Sequence, residues 1–388
     1  MRDIAIVSAT RTPLGKARRG SLKDTRPDDL LAVALKEAVT RAGIRPDQLD
    51  DLVVGTAMPE AEQGTNVARI AGFLAGLPDT TAAITINRFC SSGLQAIAQA
   101  GAAIAAGWHD AVIAGGVESM SIVPMGGQKP APNPTLVSDR PETYTPMGIT
   151  AENVASRYGI SRADQDAFAL ASHQKALAAI AHGTFAEEIV PVPTRVFDGA
   201  TWKDVVVTTD EGPRADTTLD GLGKLKPAFK LGGSVTAGNS SQVTDGAAAA
   251  VVAGLDFARA QGLPVLGLLK AYAVVGTPPE IMGVGPRYAI PKALAQVGLR
   301  IEDVGLFEIN EAFASQALYC ARELGIPEER LNPNGGAIAL GHPLGCTGAR
   351  LTATLLHEMK RKGIRYGVVS MCIGGGMGAA AIFENPSA

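Results

Sequence analysis

Two cysteines and one histidine in this 388-residue sequence stand in settings that favour nucleophilic catalysis. Cys90 lies between a strand-like run that ends at Asn87 and a helix that we expect to begin near Ser91. The positive end of a helix dipole favours a thiolate, which is the nucleophilic form of cysteine. A single cysteine is nonetheless more often a small residue of the core, so Cys90 needs chemical partners elsewhere in the chain.

The possible partners lie in the second half of the chain. His342 stands in the turn Gly341–Gly345, whereas the other four histidines lie in helices or at helix ends, so His342 is the candidate general base. Cys372 follows a buried-strand pattern and enters the glycine-rich run Ile373–Gly378, where a backbone N–H could approach a reacting oxygen as in an oxyanion hole. A strand pattern follows that run instead of the helix of a dinucleotide-binding loop, which argues against a dehydrogenase.

A fourth candidate, Asn310, stands with Glu311 between a strand-like segment and a helix. The carboxyl ends of strands are where open α/β sheets bind ligands. Taken alone, Asn310 is better explained as the cap of the helix. Together with the two cysteines and the histidine, we predict that its amide orients a water molecule or a carbonyl group.

The elements that would position these residues occur twice along the chain. Each half has a helix followed by a buried strand, and then a cysteine followed by a second helix and strand. In the first half these elements are 28–42, 52–55, 94–106 and 111–115, and in the second half they are 290–297, 306–309, 351–361 and 367–371. We therefore predict an α/β fold of two similar halves packed together; chance similarity between Ala- and Gly-rich helices is the alternative.

A long excursion is predicted between the repeated units. Pro124 to Pro146 is rich in Pro, Gly and Asn and has little periodicity. Ordered structure resumes where Ser161–Asp164 resembles a capping box that opens a helix through His182, and 205–209 resembles a short strand. Long loops with helices of their own usually serve a site, so we expect this one to cover a ligand.

Composition excludes several classes of function. Hydrophobic residues make up 46% and charged residues 19%, which is typical of a globular protein with a large core. A formal net charge of −3 gives no positive field for nucleic acid or an anionic membrane. No apolar window is long enough to span a membrane, and Met1–Val7 shows no secretory signal, so we expect a cytoplasmic protein. The four cysteines lack the spacing of a metal site or a disulfide framework, and we expect reduced thiols.

These segments, in this order, resemble the signatures of the thiolase family, and the resemblance covers the whole chain. The signature-like segments are Asn87–Gly93, Gly115–Met120, Asn310–Phe313, Gly341–Gly348 and Cys372–Gly378. Three others, 147–153, 224–229 and 236–241, are most similar to degradative 3-ketoacyl-CoA thiolases, including the peroxisomal type. Short-chain acetoacetyl-CoA thiolases are the near alternative, but many carry a histidine where this chain has Pro146, which favours longer acyl chains here.

The resemblance implies a thiolase-like fold of two halves stacked as α-β-α-β-α layers. The N-terminal half would comprise residues 1–118 and 244–264, and the C-terminal half residues 265–388. A loop domain, residues 119–243, would be inserted in the first half and cover the CoA site. The resemblance also implies a homodimer or homotetramer, with possible association with other enzymes of fatty-acid β-oxidation.

The resemblance further implies thiolytic cleavage of 3-ketoacyl-CoA through a Cys90 acyl-enzyme. His342 would take the proton of Cys90, and Cys372 would protonate the departing enolate and later deprotonate CoA. The N–H groups of Cys90 and Gly374 would hold one oxyanion, while His342 and a water molecule on Asn310 would hold the other oxygen. CoA would be a co-substrate, with no permanently bound cofactor. Its predicted contacts are Met147, Ser241, Met282, Ala312 and Phe313, with Arg214 near the nucleotide.

Three other functions remain open from the residues. A 3-oxoacyl-carrier-protein synthase would share the fold and the nucleophilic cysteine, but it typically pairs that cysteine with two histidines. A catalytically silent acyl-CoA- or lipid-binding protein would lack a catalytic group, yet Cys90, His342, Cys372 and Asn310 are all present. A purely structural assembly protein would require these motifs to be coincidental packing.

Overall fold

The repeated βα segments form one mixed sheet of ten strands, with a separate two-stranded hairpin, in a computed structural model that describes residues 2–388. The strands are β1 (Ile4–Arg11), β2 (Gly15–Lys16), β3 (Asp51–Gly55), β4 (Ala82–Ile86), β5 (Ala111–Ser119), β6 (Val192–Phe197), β7 (Trp202–Val207), β8 (Thr244–Gly254), β9 (Gly267–Gly276), β10 (Leu306–Ile309), β11 (Tyr366–Ile373) and β12 (Met377–Glu384). The helices are α1 (Pro27–Ala42), α2 (Val67–Leu74), α3 (Ser92–Ala105), α4 (Pro134–Asp139), α5 (Met147–Arg157), α6 (Arg162–Ala181), α7 (Leu219–Gly223), α8 (Leu255–Ala260), α9 (Gly285–Ala295), α10 (Ala314–Leu324), α11 (Ala337–Leu340) and α12 (Leu344–Lys362).

Two similar halves meet at the pair β1–β9, which confirms the predicted repeat. Outward from this pair the strand order is β1-β8-β5-β3-β4 on one side and β9-β12-β11-β10 on the other. Corresponding neighbours run in the same relative directions: β5 and β3 are parallel, and so are β11 and β10. The halves are more closely joined than expected, because Ile4–Ile6 pair with residues 267–269 and make one continuous sheet.

Helices and sheet halves alternate in five layers, as the resemblance implies. Helices α1 and α2 pack on the outer face of the first half, and α9 and α10 pack on the outer face of the second. Between the halves lie α3 and α12, whose apolar residues form one core with strands of both halves. The two central helices therefore carry the interface between the repeats, and each begins beside a candidate catalytic residue.

The start of α12 was predicted seven residues too late. The predicted turn Gly341–Gly345 reaches into this helix, and Gly348 also lies inside it. A side chain at Gly348 would place its Cβ 2.2 Å from the backbone nitrogen of Leu94 on α3. Glycine is therefore present because α3 and α12 approach each other closely, and not because the helix breaks there.

Between β5 and β8 the chain leaves the sheet after Ser119 and returns at Thr244. The predicted helix after Ser161 is confirmed as α6, with the Ser161 hydroxyl accepting a hydrogen bond from the Asp164 amide at 3.1 Å. The predicted strand at 205–209 is β7, and it pairs with β6, which the sequence did not indicate. The division into domains stays a prediction. Across residues 2–388, no helix combines the length and apolar character needed to cross a membrane.

Candidate active site

Cys90 lies on a short 3-10 turn, Phe89–Ser91, between β4 and α3. The residue before it, Phe89, has a φ of 43°, in the left-handed region that non-glycine residues rarely adopt. Side chains hold this turn: Asn87 accepts from the Phe89 amide at 2.7 Å, and the Ser92 hydroxyl donates to the Phe89 carbonyl at 2.7 Å. Backbone strain of this kind persists only where the surroundings stabilise it, and it often marks a functional site.

The Cys90 side chain is only 7% exposed and packs with Ala57, Met120 and Leu344. Burial raises the pKa of Cys90 to about 11, although the backbone N–H groups of Gly374 and of Cys90 itself oppose the rise. The sequence suggested that the helix dipole would favour the thiolate, but burial outweighs it. The resting group is therefore a thiol that needs a base.

Cys372 lies near the end of β11 and is completely buried. Burial raises the pKa of Cys372 well above its usual range, and the neighbouring Cys90 and Cys320 raise it further. Two residues after it, the backbone N–H of Gly374 lies near the Cys90 sulfur and lowers the pKa of Cys90. The β11–β12 turn therefore brings one thiol and one N–H donor from the second half to the nucleophile of the first.

His342 lies in the connection between α11 and α12 and is 5% exposed. Its Nδ1 lies 2.6 Å from the Thr347 hydroxyl, and its Nε2 lies 3.3 Å from Nδ2 of Asn310. Burial lowers the pKa of His342 to about 3, and the charge of Arg350 lowers it further. The imidazole is thus neutral at physiological pH and is able to accept a proton.

Asn310 follows β10 and is almost fully buried, and its side chain does not cap the helix α10. Its backbone is fixed on both sides, because its N–H donates to Ser370 at 2.9 Å and its carbonyl accepts from Gln316 at 2.7 Å. Nδ2 faces His342, while Oδ1 has no protein donor among the described residues. A buried amide oxygen of this kind is suited to accept from water or substrate, which supports the role predicted for Asn310.

Five of the six predicted CoA contacts lie together, beside Cys372. Side chains of Met147, Met282, Ala312 and Phe313 form an apolar cluster with this cysteine. Ser241 joins its edge, because its N–H donates to the Ala312 carbonyl at 2.9 Å. Arg214 is exposed and lies outside this cluster, on a loop. Its backbone N–H donates to Nδ1 of His173 at 3.2 Å. Contact with CoA stays a prediction for all six.

A residue that received no role from the sequence, Glu118, lies beneath the site. It is fully buried at the end of β5, and its carboxylate accepts from the backbone N–H groups of Ala57 and Gly345, each at 2.7 Å. It also accepts from Met58 at 3.2 Å and from the Gln63 side chain at 2.7 Å. An acidic residue inside an otherwise apolar strand was the signal that could have identified it.

Comparisons with known proteins show the family of this chain. The family model described as "Thiolase, N-terminal domain" matches residues 4–255, and "Thiolase, C-terminal domain" matches residues 263–385. The chain is 57% identical to a 3-ketoacyl-CoA thiolase of Bacillus subtilis (strain 168), over 99% of this chain and 100% of the relative.

Two solved structures are similar throughout. The acetyl-CoA acetyltransferase of Bacillus anthracis matches with a TM-score of 0.91 and 43% identity over 99% of both chains. The dimeric peroxisomal thiolase of Saccharomyces cerevisiae matches with a TM-score of 0.90 and 44% identity, over 99% of this chain and 97% of the yeast chain. The chain belongs to the thiolase family.

Proposed function

We propose that this protein cleaves 3-ketoacyl-CoA with CoA to give acetyl-CoA and a shortened acyl-CoA, in fatty-acid β-oxidation. The observation that carries the proposal is that both halves converge on one sulfur. Cys90 comes from the first half, whereas the N–H donor of Gly374 and the second thiol, Cys372, come from the other. A nucleophile, a proton donor and oxyanion donors are the groups that thiolytic cleavage requires.

The first step joins Cys90 to the substrate. Because the pKa of Cys90 is about 11 and that of His342 about 3, thiol and imidazole are both neutral at rest. The proton passes from the sulfur to Nε2 of His342 as the sulfur attacks the 3-keto carbon. The carbonyl oxygen becomes an oxyanion, and the N–H groups of Cys90 and Gly374 stabilise it.

The second step breaks the C2–C3 bond and leaves the acyl group on Cys90. The departing acetyl-CoA enolate takes a proton from Cys372, whose raised pKa keeps that proton in place until the enolate forms. His342 and a water molecule on Asn310 hold the enolate oxygen. The Cys372 thiolate then removes the proton of incoming CoA, and the CoA sulfur attacks the acyl group. This attack releases the Cys90 thiolate, which takes back the proton from Nε2 of His342.

The alternative is a short-chain acetoacetyl-CoA thiolase, and the similar Bacillus anthracis structure is named as an acetyl-CoA acetyltransferase. Sequence identity favours the degradative type, because this chain is 57% identical to the Bacillus subtilis 3-ketoacyl-CoA thiolase and 43% identical to the Bacillus anthracis protein. Pro146 stands directly before α5, where many short-chain thiolases carry a histidine, and the adjoining cluster around Met147 is apolar. These features favour a longer acyl chain over a polar short-chain pocket.

CoA-dependent cleavage of short, medium and long 3-ketoacyl-CoA substrates tests the proposal. We expect a higher kcat/KM for the longer chains than for acetoacetyl-CoA, and no turnover by Cys90→Ser. Cys320→Ser is the matched control, since Cys320 is another buried thiol, whose sulfur contacts the Gly283 carbonyl at 3.3 Å. Cleavage of acetoacetyl-CoA alone would favour the alternative. Turnover by Cys90→Ser would contradict the proposed nucleophile.

A homodimer is also proposed, with β4 at its centre. Strand β4 ends the sheet and pairs on one side only, with β3, among the strands of residues 2–388. Ile84 on this edge is 42% exposed, and the neighbouring α2 exposes Phe73 and Leu74. An unpaired edge beside exposed apolar side chains favours pairing with a second copy about a two-fold axis. The similar yeast thiolase is named as dimeric.

Light scattering measures the oligomeric state directly. We expect a dimer for the wild type and a shift to monomer for Ile84→Lys, whereas Trp108→Lys, at an exposed position outside this edge, should leave the mass unchanged. A monomeric wild type would contradict the proposal, and a tetramer would require a second interface. Association with other β-oxidation enzymes stays a prediction.

Location in the cytoplasm is proposed from the sequence alone. The relatives include both a bacterial protein and one named for the peroxisome, so family membership does not decide the compartment. Cell fractionation with an antibody against this chain tests the proposal. Recovery in an organelle or in a secreted fraction would contradict it.

A further inference from the structure

The hydroxyl group of Thr347 lies between His342 and the first turn of α12. Its Oγ1 is 2.6 Å from Nδ1 of His342 and 2.9 Å from the carbonyl oxygen of Pro343. Thr347 is fully buried and His342 nearly so. Because a threonine hydroxyl has one hydrogen, it donates to only one of these two neighbours.

The two possible donations correspond to the two neutral forms of His342. If the hydroxyl donates to Pro343, the histidine must carry its proton on Nδ1 and donate it to the Thr347 oxygen. If the hydroxyl instead donates to Nδ1, the histidine proton must lie on Nε2. Pro343 alone does not decide between them, since its carbonyl also accepts from the backbone N–H groups of Cys346 at 3.0 Å and Thr347 at 2.9 Å.

The contact of Nε2, on the other side of the ring, distinguishes the two neutral forms of His342. Nε2 of His342 faces Nδ2 of Asn310 at 3.3 Å, and an amide nitrogen is only a donor. With the Asn310 amide oriented so that Oδ1 is free for the proposed water molecule, a proton on Nε2 would point at the N–H group of Asn310, and Nε2 therefore presents its lone pair. The proton is then on Nδ1, and the Thr347 oxygen is its acceptor.

We propose that Thr347 is a positioning residue that fixes the Nδ1–H form of His342 and leaves Nε2 as the basic nitrogen. The role in catalysis rests on the proposed function, in which Nε2 takes the proton of Cys90 as the sulfur attacks. The imidazolium that forms keeps its Nδ1–H bond to the Thr347 oxygen throughout. A neutral hydroxyl in this position orients the ring without the charge that a carboxylate would add.

Three variants separate positioning from a structural role. Thr347→Val keeps the shape of the side chain and removes the acceptor, whereas Thr347→Ser keeps the hydroxyl. Thr352→Val is the matched control, because Thr352 is equally buried on α12 and its hydroxyl donates to the Gly348 carbonyl at 2.8 Å. That bond spans four residues, as does the bond from Thr347 to Pro343, but it does not involve His342.

Acylation of Cys90 in a single turnover is the kinetic measurement. We expect Thr347→Val to slow acylation about 10- to 100-fold with KM little changed, which is part of the effect that a positioned general base typically contributes. Thr347→Ser should restore acylation to near the wild-type rate, and Thr352→Val should leave it near that rate. Equal losses in Thr347→Val and Thr352→Val would show a merely structural role and overturn the proposal.

The protonated nitrogen of His342 is measured by 15N NMR on histidine-labelled wild-type protein, with His342→Asn for assignment. We expect Nδ1–H in the wild type and in Thr347→Ser, and a mixture of both forms in Thr347→Val. Nε2–H in the wild type, or an unchanged Nδ1–H form in Thr347→Val, would overturn the proposal. This spectrum does not depend on turnover, so failure of the proposed function and failure of this inference are distinguishable.

Discussion

Replacing Glu118 by glutamine should destabilise the fold, although the two side chains have nearly the same shape. One carboxylate oxygen of Glu118 accepts from the backbone N–H groups of Ala57 and Gly345. The other accepts from the backbone N–H of Met58 and from the side chains of Gln63 and Thr56. A glutamine has one oxygen and one amide nitrogen, and the nitrogen cannot accept. In either orientation, at least two buried donors would face another donor.

The expected cost follows from these unpaired groups. A buried donor without an acceptor costs about 1–3 kcal/mol. The Gln63 nitrogen keeps the Met58 carbonyl as an acceptor at 2.9 Å, so one or two donors lose their partner, and the free energy of unfolding falls by roughly 1–6 kcal/mol. Rotation of Gln63 does not relieve the conflict, because its side-chain oxygen already accepts from the Ser119 amide at 2.6 Å. The loss of the bond to Gly345 should also disturb the start of α12, next to His342.

Urea denaturation of Glu118→Gln and wild type, followed by circular dichroism, measures the difference. Unfolding rates replace the equilibrium comparison if denaturation is irreversible. Glu329→Gln, at an exposed position on the surface, is the control for loss of one negative charge. Surface substitutions usually change the free energy of unfolding by less than about 0.5 kcal/mol. If Glu118→Gln differs from wild type by no more than that, the hydrogen bonds of this carboxylate do not stabilise the fold.

Three further predictions concern the titrating groups of the site. Iodoacetamide should label Cys90 before the fully buried Cys372, at a rate that rises with pH toward the pKa of about 11; a plateau near neutral pH would indicate a preformed thiolate. Cys372→Ala should form the acyl-enzyme slowly, as detected by mass spectrometry, and turn over poorly, whereas normal turnover would exclude Cys372 from the mechanism. Burial lowers the pKa of His342 to about 3 and that of His173 to about 4. Because the unfolded chain binds these protons near the ordinary histidine pKa of 6.5, both residues should destabilise the fold as the pH falls below 6.5. The loss of Tm between pH 6.5 and 4 should be smaller in His173→Asn, and an equal loss would contradict that assignment.

Much of this fold could be predicted because its signals are local. The helix-then-strand order recurs at a fixed place in each half, and Ser161 marks the start of α6 by its own capping hydrogen bond. The turn at Cys90 was likewise visible, since a strand pattern ends three residues before it and a helix pattern follows. These features depend on residues that are close in the chain, so their patterns survive in the sequence.

The features that the sequence did not reveal depend on residues far apart in the chain. Pairing of Ile4–Ile6 with residues 267–269 joins the two halves, but no pattern in either segment indicates which strand it pairs with. The protonation of Cys90 was misjudged for the same reason: the helix dipole is a local effect, whereas burial by Met120 and Leu344 is not. The start of α12 was predicted too late, and the close approach that explains a glycine at 348 involves a helix more than 240 residues away in sequence.

The repeat explains why the site needs both halves. In the first half, Gly116 on β5 pairs with the last residue of β3, and Glu118 lies two residues after Gly116. In the second half, Ser370 on β11 pairs with the last residue of β10, and Cys372 lies two residues after Ser370. Glu118 and Cys372 therefore occupy equivalent positions in the two halves.

Each of these strand ends reaches across to the other half. Glu118 accepts from Gly345, at the start of α12. The N–H of Gly374, after Cys372, lies near the sulfur of Cys90, before α3, and lowers its pKa. The first contact braces the segment that carries His342, and the second supplies a donor to the nucleophile. Neither half alone contains a base, a nucleophile and a proton donor, so the chemistry depends on the packing of α3 against α12. A change that loosens this helix contact should therefore reduce acylation of Cys90 before it unfolds either half.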